Sequence, residues 1–150
     1  MDDLSDEDWS VAVASTLLAP VRFASSVIRH LRSEGKQGGS VAFVLSTSAR
    51  QPLTRLALSN AIRPSLALHI KDLADAYGGE IASVRVNGLL PGAIDTERSR
   101  AGGLSAERVP LKRLGSPDEF GRVAAFILSP AASFVNGSLI TVDGGTTRAL

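Results

Sequence analysis

The sequence predicts an α/β fold built on a parallel sheet. Segments in which apolar residues recur at helical spacing alternate with short apolar runs along most of the 150 residues. Residues 41–45 are all apolar, which is typical of a parallel strand that is buried on both faces. The resulting order is helix, strand, helix, strand, loop, helix, strand, and it indicates one α/β layer system in a single domain.

The first predicted helix extends from Ser5 to about Arg32. Ser5 and Asp8 have the spacing of a capping box. After them, apolar residues recur every three or four positions as far as Leu31, as in a helix with one apolar face. Pro20 lies inside this pattern and removes one backbone donor, so we expect either a kink or two abutting helices there.

The remaining elements follow from turn residues and apolar runs. Gly78-Gly79 ends a helix that begins near Leu56. Ser116-Pro117-Asp118-Glu119 combines a serine N-cap, a first-position proline and a capping-box glutamate, and Ser129-Pro130 stops the helix that follows. The full prediction places strands at 40–45, 81–90 and 138–142, helices at 56–77 and 116–129, and loops at 35–39 and 95–110.

The composition excludes several classes of protein. Sixteen lysines and arginines against fifteen acids give a formal charge of +1 without a basic cluster, so we expect no nucleic-acid partner. There is no cysteine, and His30 and His69 have no second ligand at metal spacing, so we expect no metal site. The amino terminus is acidic and no apolar run approaches about 18 residues, so we expect a cytoplasmic protein without a membrane span.

Five short motifs occur in an order that is shared with one enzyme family. Pro91-Gly92 closes an apolar strand, and Thr96 follows four residues later. The other motifs lie at residues 6–9, 114–120, 134–138 and 142–145, and they read Asp-Glu-Asp-Trp, Leu-Gly-Ser-Pro-Asp-Glu-Phe, Phe-Val-Asn-Gly-Ser and Val-Asp-Gly-Gly. Together they resemble the carboxyl half of the short-chain dehydrogenases/reductases, and most of all the members that are like 3-oxoacyl-carrier-protein reductases.

The resemblance implies a partial Rossmann fold, that is, a doubly wound parallel sheet of which this chain supplies the last three strands with flanking helices. The family binds NAD or NADP, and the turn that here contains Pro91, Gly92, Ile94 and Thr96 closes over the nicotinamide end. The family's Gly-rich turn, which holds the pyrophosphate at a helix N-terminus, has no counterpart in the sequence. Residues 1–150 are therefore interpreted as one truncated domain that lacks the dinucleotide-binding half.

Four further positions match catalytic residues of the family. The family uses a serine, a tyrosine 13 residues later, a lysine four residues after that, and an asparagine on the preceding helix. By the same spacing, the serine position is Ser46, the tyrosine position Ser59, the lysine position Arg63 and the asparagine position Thr16. In the family the serine polarises the substrate carbonyl, the phenol transfers a proton, and the lysine lowers the phenol's pKa and holds the ribose.

Three of these four positions depart from the family pattern. The alkyl hydroxyl of Ser59 is a far weaker acid than a phenol, whose pKa is about 10. Arg63 can hold a ribose but is no proton shuttle, and Pro64 disfavours helical geometry at Arg63. Losing a general acid costs about 10²–10⁴ in rate, so we expect impaired catalysis. Some divergent relatives resemble this chain in carrying the same Ser-x-x-x-Arg pattern.

Several of these residues also have a purely structural interpretation. Residues 46–48 suit an ordinary polar strand end, and Ser59 and Arg63 suit an exposed helix face. The arginines of residues 98–108 suit a solvated loop, although the family's substrate lid falls there.

Three functions remain open at this point. The chain is part of an NAD(P)-dependent oxidoreductase acting on a carbonyl or hydroxyl, a non-catalytic module that assembles with a related subunit, or a remnant or late-called start, since Met1 is the only methionine. The family oligomerises through the helices that correspond to 6–32 and 56–77. The strand 41–45 would form an uncovered apolar edge, so we predict a homo-oligomer or a hetero-oligomer with a subunit of the same family.

Overall fold

The computed structural model describes residues 3–34, 38–79 and 83–149. The strands are β1 (Gly39–Val44), β2 (Val84–Pro91) and β3 (Leu139–Val142). The α-helices are α1 (Asp6–Val13), α2 (Ala19–Ser33), α3 (Ala57–Tyr77), α4 (Glu97–Ala101) and α5 (Pro117–Leu128). Short 3₁₀ turns cover Thr47–Ala49, Ala106–Arg108 and Pro130–Ala132.

The strands form one parallel sheet in the order β1-β2-β3. Gly39 is opposite Val84 in the first pair of strands, and Pro91 is opposite Val142 in the second. Parallel neighbours need crossover connections, which α3 and α5 supply. The predicted α/β fold, a Rossmann-like parallel sheet with flanking helices, is confirmed.

Helices cover both faces of the sheet. On one face α2 and α3 pack against Val84, Val86 and Leu90 of β2. On the other face Leu89 packs against α5, where Ile127 is fully buried. The strand serves both cores because successive side chains point to opposite faces. The carboxyl ends of the strands meet at one end of the sheet, where α/β proteins form their ligand clefts.

The first helix changes its winding where the sequence predicts a kink or a junction. α1 begins at the predicted N-cap, Ser5. Ala14–Leu18 then form a π-helical turn, in which Ala19 donates its N–H to the carbonyl five residues earlier. Pro20 lies at the start of α2, so the change in winding takes place beside the residue that lacks an N–H. Such turns are frequent at functional sites, and this one contains Thr16.

The joined helix of residues 6–33 is more apolar than the sequence pattern indicates. Its 28 residues include a window of mean hydropathy 1.6, of which only 11% is buried. By length and composition it meets the requirement for a membrane span, so the structure contains one helix that the sequence analysis does not expect. Ala24 and Ile28 point into the core, whereas Val11 and Phe23 lie on the surface.

α3 continues through Pro64, contrary to the expectation that this proline disturbs Arg63. Ile62, Leu66 and Ile70 of the same helix are buried. Burying one such side chain contributes about 1.5–3 kcal/mol, and an interior proline costs about 3 kcal/mol. Several buried side chains therefore outweigh the local preference, and Arg63 keeps helical geometry.

Three predicted boundaries differ from the structure. β1 begins inside the expected loop 35–39, of which residues 35–37 lie outside the described chain. β2 starts and ends later than the expected 81–90, whose first two residues also lie outside it. The expected loop 95–110 contains α4, because the Thr96 hydroxyl accepts the N–H of Ser99 and so caps a helix.

In the described chain, β1 has a free edge on the side away from β2. Gly39 and Leu45 donate their N–H groups toward β2. Because a strand alternates with a period of two, the backbone polar groups of residues 40, 42 and 44 point away from it. The Val44 side chain is 56% exposed, so the prediction of a strand buried on both faces is only partly correct.

Candidate functional site

One cleft at the carboxyl end of β1 brings together all four residues that match the catalytic positions. It has a volume of about 960 Å³ and lies between the α1 region, the segment after β1 and the start of α3. Thr16 comes from the π turn, Ser46 follows β1, and Ser59 and Arg63 lie on successive turns of α3. Residues that the sequence relates only by spacing therefore share one cavity.

Ser46 is held where β1 passes into a 3₁₀ turn. Its hydroxyl oxygen accepts the N–H of Ser48 at 3.1 Å and caps that turn. A hydroxyl that accepts in this way keeps its own proton free to donate. Ser46 is therefore positioned by the backbone and can donate to an oxygen in the cleft.

Ser59 contacts a second serine that the sequence analysis did not select. The Oγ atoms of Ser59 and Ser48 are 2.8 Å apart, and Ser48 also lies 3.4 Å from the Ser59 carbonyl oxygen. Ser48 is buried beneath the cleft lining. The sequence feature that includes Ser48 is the polar run 46–48 after β1. Only its first residue, Ser46, occupies a catalytic position of the family.

Neither a phenol nor an ammonium group lines the cleft among the described residues. The chain has a single tyrosine, Tyr77, and it lies at the end of α3 with the Arg32 guanidinium 5.3 Å from its ring centre. Lys71 and Lys112 are also absent from the lining. An alkyl hydroxyl pair orients a polar ligand but does not replace a phenol as a proton donor.

Arg63 is a partly buried cation whose hydrogen bonds are incomplete. Its Nη1 donates to the outward-facing carbonyl of Val44 at 3.1 Å, at the free edge of β1. Among the described residues, the buried Nε has no hydrogen-bond partner and Nη2 makes no bond either. Burial lowers the pKa of Arg63, but an arginine stays protonated at neutral pH.

Charges of both signs line the cleft from separate segments. Arg55 and Arg98 line it from the turn before α3 and from α4, and neither forms an ion pair with another described residue. The acidic lining residues come from the α1 side and are Asp3, Glu7 and Asp8. The Ser5 side chain and backbone, by hydrogen bonding, lower the pKa of Asp8. Arg98 thus lines the cleft, whereas the sequence-based interpretation places it in a solvated loop.

The residues predicted to contact the nicotinamide end lie at the end of β2 and in the segment after it, and they do not line this cleft. Pro91 pairs with Val142 in the sheet, and Gly92 donates to the carbonyl of that same residue. Ile94 lines a separate cavity of about 140 Å³ and pairs with Gly115. These residues are therefore brought together with the end of β3 rather than with the catalytic positions.

Thr96 lies in the chain between Ile94, which lines the smaller cavity, and Arg98, which lines the large cleft. Its hydroxyl accepts the Ser99 N–H at 3.2 Å and lies 2.8 Å from the Ser99 Oγ, so it serves as the cap of α4. Arg98, two residues further on, reaches the large cleft. The sequence predicts a solvated loop at Arg98, in the region of the family's substrate lid, and it does not predict the contact of Arg98 with this cleft because that contact depends on how α4 packs against distant segments.

The two histidines, His30 and His69, differ in their exposure. His30 is exposed, as expected, whereas His69 is half-buried and its Nε2 has no partner among the described residues. In the described part of the chain, no group of three or more histidine, aspartate or glutamate side chains has the arrangement of a metal site.

A family model described as enoyl-(acyl carrier protein) reductase matches residues 1–147. The chain belongs to the short-chain dehydrogenase/reductase family. It is 31% identical over 149 residues to the 3-oxoacyl-[acyl-carrier-protein] reductase FabG of Chlamydia pneumoniae, covering 96% of this chain and 58% of that protein. The family predicted from the motifs is confirmed.

Two solved structures show the same fold. A gluconate 5-dehydrogenase from Burkholderia cenocepacia, in complex with NADP and tartrate, is 28% identical with a TM-score of 0.88, over 99% of this chain and 60% of that one. An NADPH-bound short chain oxidoreductase from Pseudomonas aeruginosa PAO1, containing an atypical catalytic center, is 26% identical with a TM-score of 0.88 and the same coverage. The chain therefore spans less than two thirds of the length of these relatives.

Proposed function

We propose that the chain is an oxidoreductase homologue of the 3-oxoacyl reductase type, which uses NAD or NADP on a carbonyl or hydroxyl and whose catalysis is impaired. The observation that carries this proposal is the single cleft shared by Ser46, Ser59, Arg63 and Thr16. Support also comes from the reductase FabG, which matches nearly the whole chain, and from two similar structures that contain NADP or NADPH.

In this proposal the chain's own residues orient the reactants. Ser46 donates its free proton to the substrate oxygen, and Thr16 and Ser59 contribute further hydroxyls. Arg63 occupies the position at which the family's lysine holds the ribose, and it has donors to spare for that role. The fit of the cofactor rests on these donors and on a cleft of about 960 Å³. NAD or NADP, when bound, supplies or accepts the hydride.

The impairment follows from the side chains at the positions of the family's tyrosine and lysine. Ser59 has no readily lost proton, and Arg63 stays charged near neutral pH. Ser59→Tyr together with Arg63→Lys restores the family pair, so we expect NADPH-dependent reduction of a 3-oxoacyl thioester to rise by about 10²–10⁴-fold. Arg122→Gln on α5 is the control. A double variant that folds and shows no gain would contradict the impairment.

We further propose that residues 1–150 form one domain that corresponds to the carboxyl half of the family fold, in the cytoplasm. Coverage of 58% and 60% of the relatives supports this, as does a described sheet of three strands. In this proposal the apolar helix of residues 6–33 faces protein rather than a bilayer, because Ala24 and Ile28 already bind it to the core.

A second candidate function is that of a non-catalytic subunit that assembles with itself or with a related subunit. The observation that favours it is the exposure of large apolar residues on the helices through which the family associates. Val11 and Phe23 lie on the first helix with 60% and 73% exposure, and Leu68 lies on α3 with 74%. A pull-down of the chain that recovers no related dehydrogenase would weaken the hetero-oligomeric form of this candidate.

A further inference from the structure

We propose that the large cleft binds an oxyanion, either a carboxylate or a phosphate group, against Arg63. This inference rests on the proposed function only in using the same cleft, since anion binding needs no hydride transfer. The two free donors of Arg63 meet either this anion or the cofactor ribose of the proposed function. The ligand class is therefore a small molecule that carries a carboxylate or a phosphate.

Arg63 has no counter-ion among the described residues. Among the described residues, no acid lies within salt-bridge distance of its guanidinium, and its single hydrogen bond goes to the neutral carbonyl of Val44. A buried charge is costly unless it is paired. The acids that line the cleft come from the α1 side, so within the described chain the Arg63 charge has no counter-ion, and a bound anion would supply one.

The two free donors of Arg63 lie next to each other. Nη1 is engaged, which leaves Nε and Nη2, the donors along one edge of the planar guanidinium. That pair forms the fork that matches two oxygens of a carboxylate or phosphate. Nε is covered, whereas Nη2 is not. An anion can reach Nη2 directly, and it engages Nε as well only where the atoms that cover Nε move aside.

Other charged and hydroxyl side chains line the cleft beside Arg63. Arg55 and Arg98 line the same cavity without an ion pair to any other described residue. The cavity is lined by three guanidinium groups and, on the α1 side, by the carboxylates of Asp3, Glu7 and Asp8, so its attraction for anions is local to the arginines and is not a net charge of the cleft. Ser46 and Thr16 add neutral donors for further oxygens of the ligand.

The test is a calorimetric titration of sodium phosphate and of sodium succinate into the full chain at low ionic strength. We expect saturable binding of at least one probe. Arg63→Gln should weaken it by about 10- to 100-fold, the loss expected for hydrogen bonds to a charged group. Arg122→Gln, an exposed arginine outside the cleft, should bind as the wild type does. If Arg63→Gln does not fold, Arg63→Lys keeps the charge without the fork and should also bind more weakly.

The outcomes distinguish a cofactor phosphate from a substrate carboxylate as the source of the anion. They also distinguish failure of the oxyanion site from failure of the proposed function. Displacement of phosphate by NADPH assigns the site to a cofactor phosphate, and succinate binding that persists at saturating NADPH assigns it to a substrate carboxylate. Either result supports the oxyanion site. NADPH binding without binding of either probe overturns the oxyanion site and leaves the oxidoreductase proposal standing. Equal binding by wild type and Arg63→Gln, or no saturable binding by the folded wild type, also overturns it.

Discussion

Asn87 is a fully buried polar side chain in the middle of β2. Its Nδ2 donates to the Val135 carbonyl at 2.9 Å, and its Oδ1 accepts the Ser138 N–H at 3.0 Å. Both partners belong to the segment that leads into β3. One amide thus bonds two backbone groups of the segment before β3, of which the Val135 carbonyl also accepts from Arg85 Nη1 at 3.1 Å.

We expect Asn87→Leu to lower the free energy of unfolding by about 1–3 kcal/mol, because the Ser138 N–H loses its partner whereas the Val135 carbonyl keeps its bond from Arg85. Chemical denaturation measures the loss. Asn60→Leu is a matched control, since Asn60 also makes two bonds to one backbone segment, at Leu53, but is only partly buried. Equal losses in the two variants would show that the full burial of Asn87 is not the cause.

Glu119 gives the clearest dependence on pH. Both of its oxygens accept from Arg113 at 2.7 Å, and one also accepts the Ser116 N–H. The hydrogen bonds from Arg113, followed by that from Ser116, lower the pKa of Glu119 from 4.5 to about 2. A lowered carboxyl pKa adds stability that is present above the unfolded value and is lost as pH falls through the folded one.

We therefore expect Glu119→Gln to lower the melting temperature at pH 7, and the difference from wild type to shrink between pH 4.5 and about 2. Thermal unfolding across this range measures it. Glu97→Gln serves as the control, because Glu97 has no ion pair with a described residue. A difference that persists unchanged at pH 2 would mean that the charge of Glu119 is not responsible.

At the scale of elements, the ends of β2 and β3 meet through a glycine. A Cβ on Gly92 would lie 2.6 Å from the Asp143 Cα and would also overlap the Asp143 Cβ. Since the obstructing atoms include backbone, relief requires moving one strand end against the other.

We expect Gly92→Ala to destabilise the chain by about 1–3 kcal/mol through overpacking. Gly121→Ala is the matched control, because Gly121 lies inside α5 with open space around it. It should stabilise the helix by about 0.5–1 kcal/mol. Melting temperatures that move in the same direction for both variants would contradict this account of the strand junction.

Elements with strong local signals are predictable from the sequence, and those set by distant contacts are not. The caps at Ser5 and Ser116 both form capping boxes, as expected from residues within one turn. α3 passes through Pro64 because packing outweighs the local preference. α4 was missed because the Thr96 cap is a short polar signal inside a sequence typical of a loop.

The residues of the candidate site also differ in whether local spacing or distant contacts determine their positions. Ser46, Ser59 and Arg63 could be placed together because a strand end and one helix separate them by fixed spacings. Ser48 and Arg98 could not, because their contacts depend on how the turn after β1 and α4 settle onto the rest of the chain. The residues after β2 were grouped with the cofactor by resemblance, and the structure places them beside β3.

At the scale of the whole molecule, apolar surface remains on the helices that pack against one face of the sheet. Leu68 on α3 is 74% exposed, and Val11 on α1 is 60% exposed. Burying such side chains between subunits contributes about 25 cal/mol per Å² of apolar area. Association through this surface would also cover the apolar helix of residues 6–33.

We expect the chain to associate at micromolar concentration and Leu68→Glu to shift it toward the monomer, as measured by sedimentation velocity. Phe126→Glu on α5, on the opposite face of the sheet, is the control and should leave the distribution unchanged. A wild-type chain that sediments as a monomer would contradict association through this surface.

The proposed function requires the cleft around Ser46 and Arg63 to bind a nicotinamide cofactor. Calorimetric titration of the purified chain with NADPH and NADH, with the oligomeric state measured on the same sample, tests this requirement. We expect saturable binding in the micromolar range by an associated chain, weakened in Arg63→Gln and unchanged in Arg122→Gln. A folded, associated chain that binds neither nucleotide would contradict the cofactor site and favour the non-catalytic subunit.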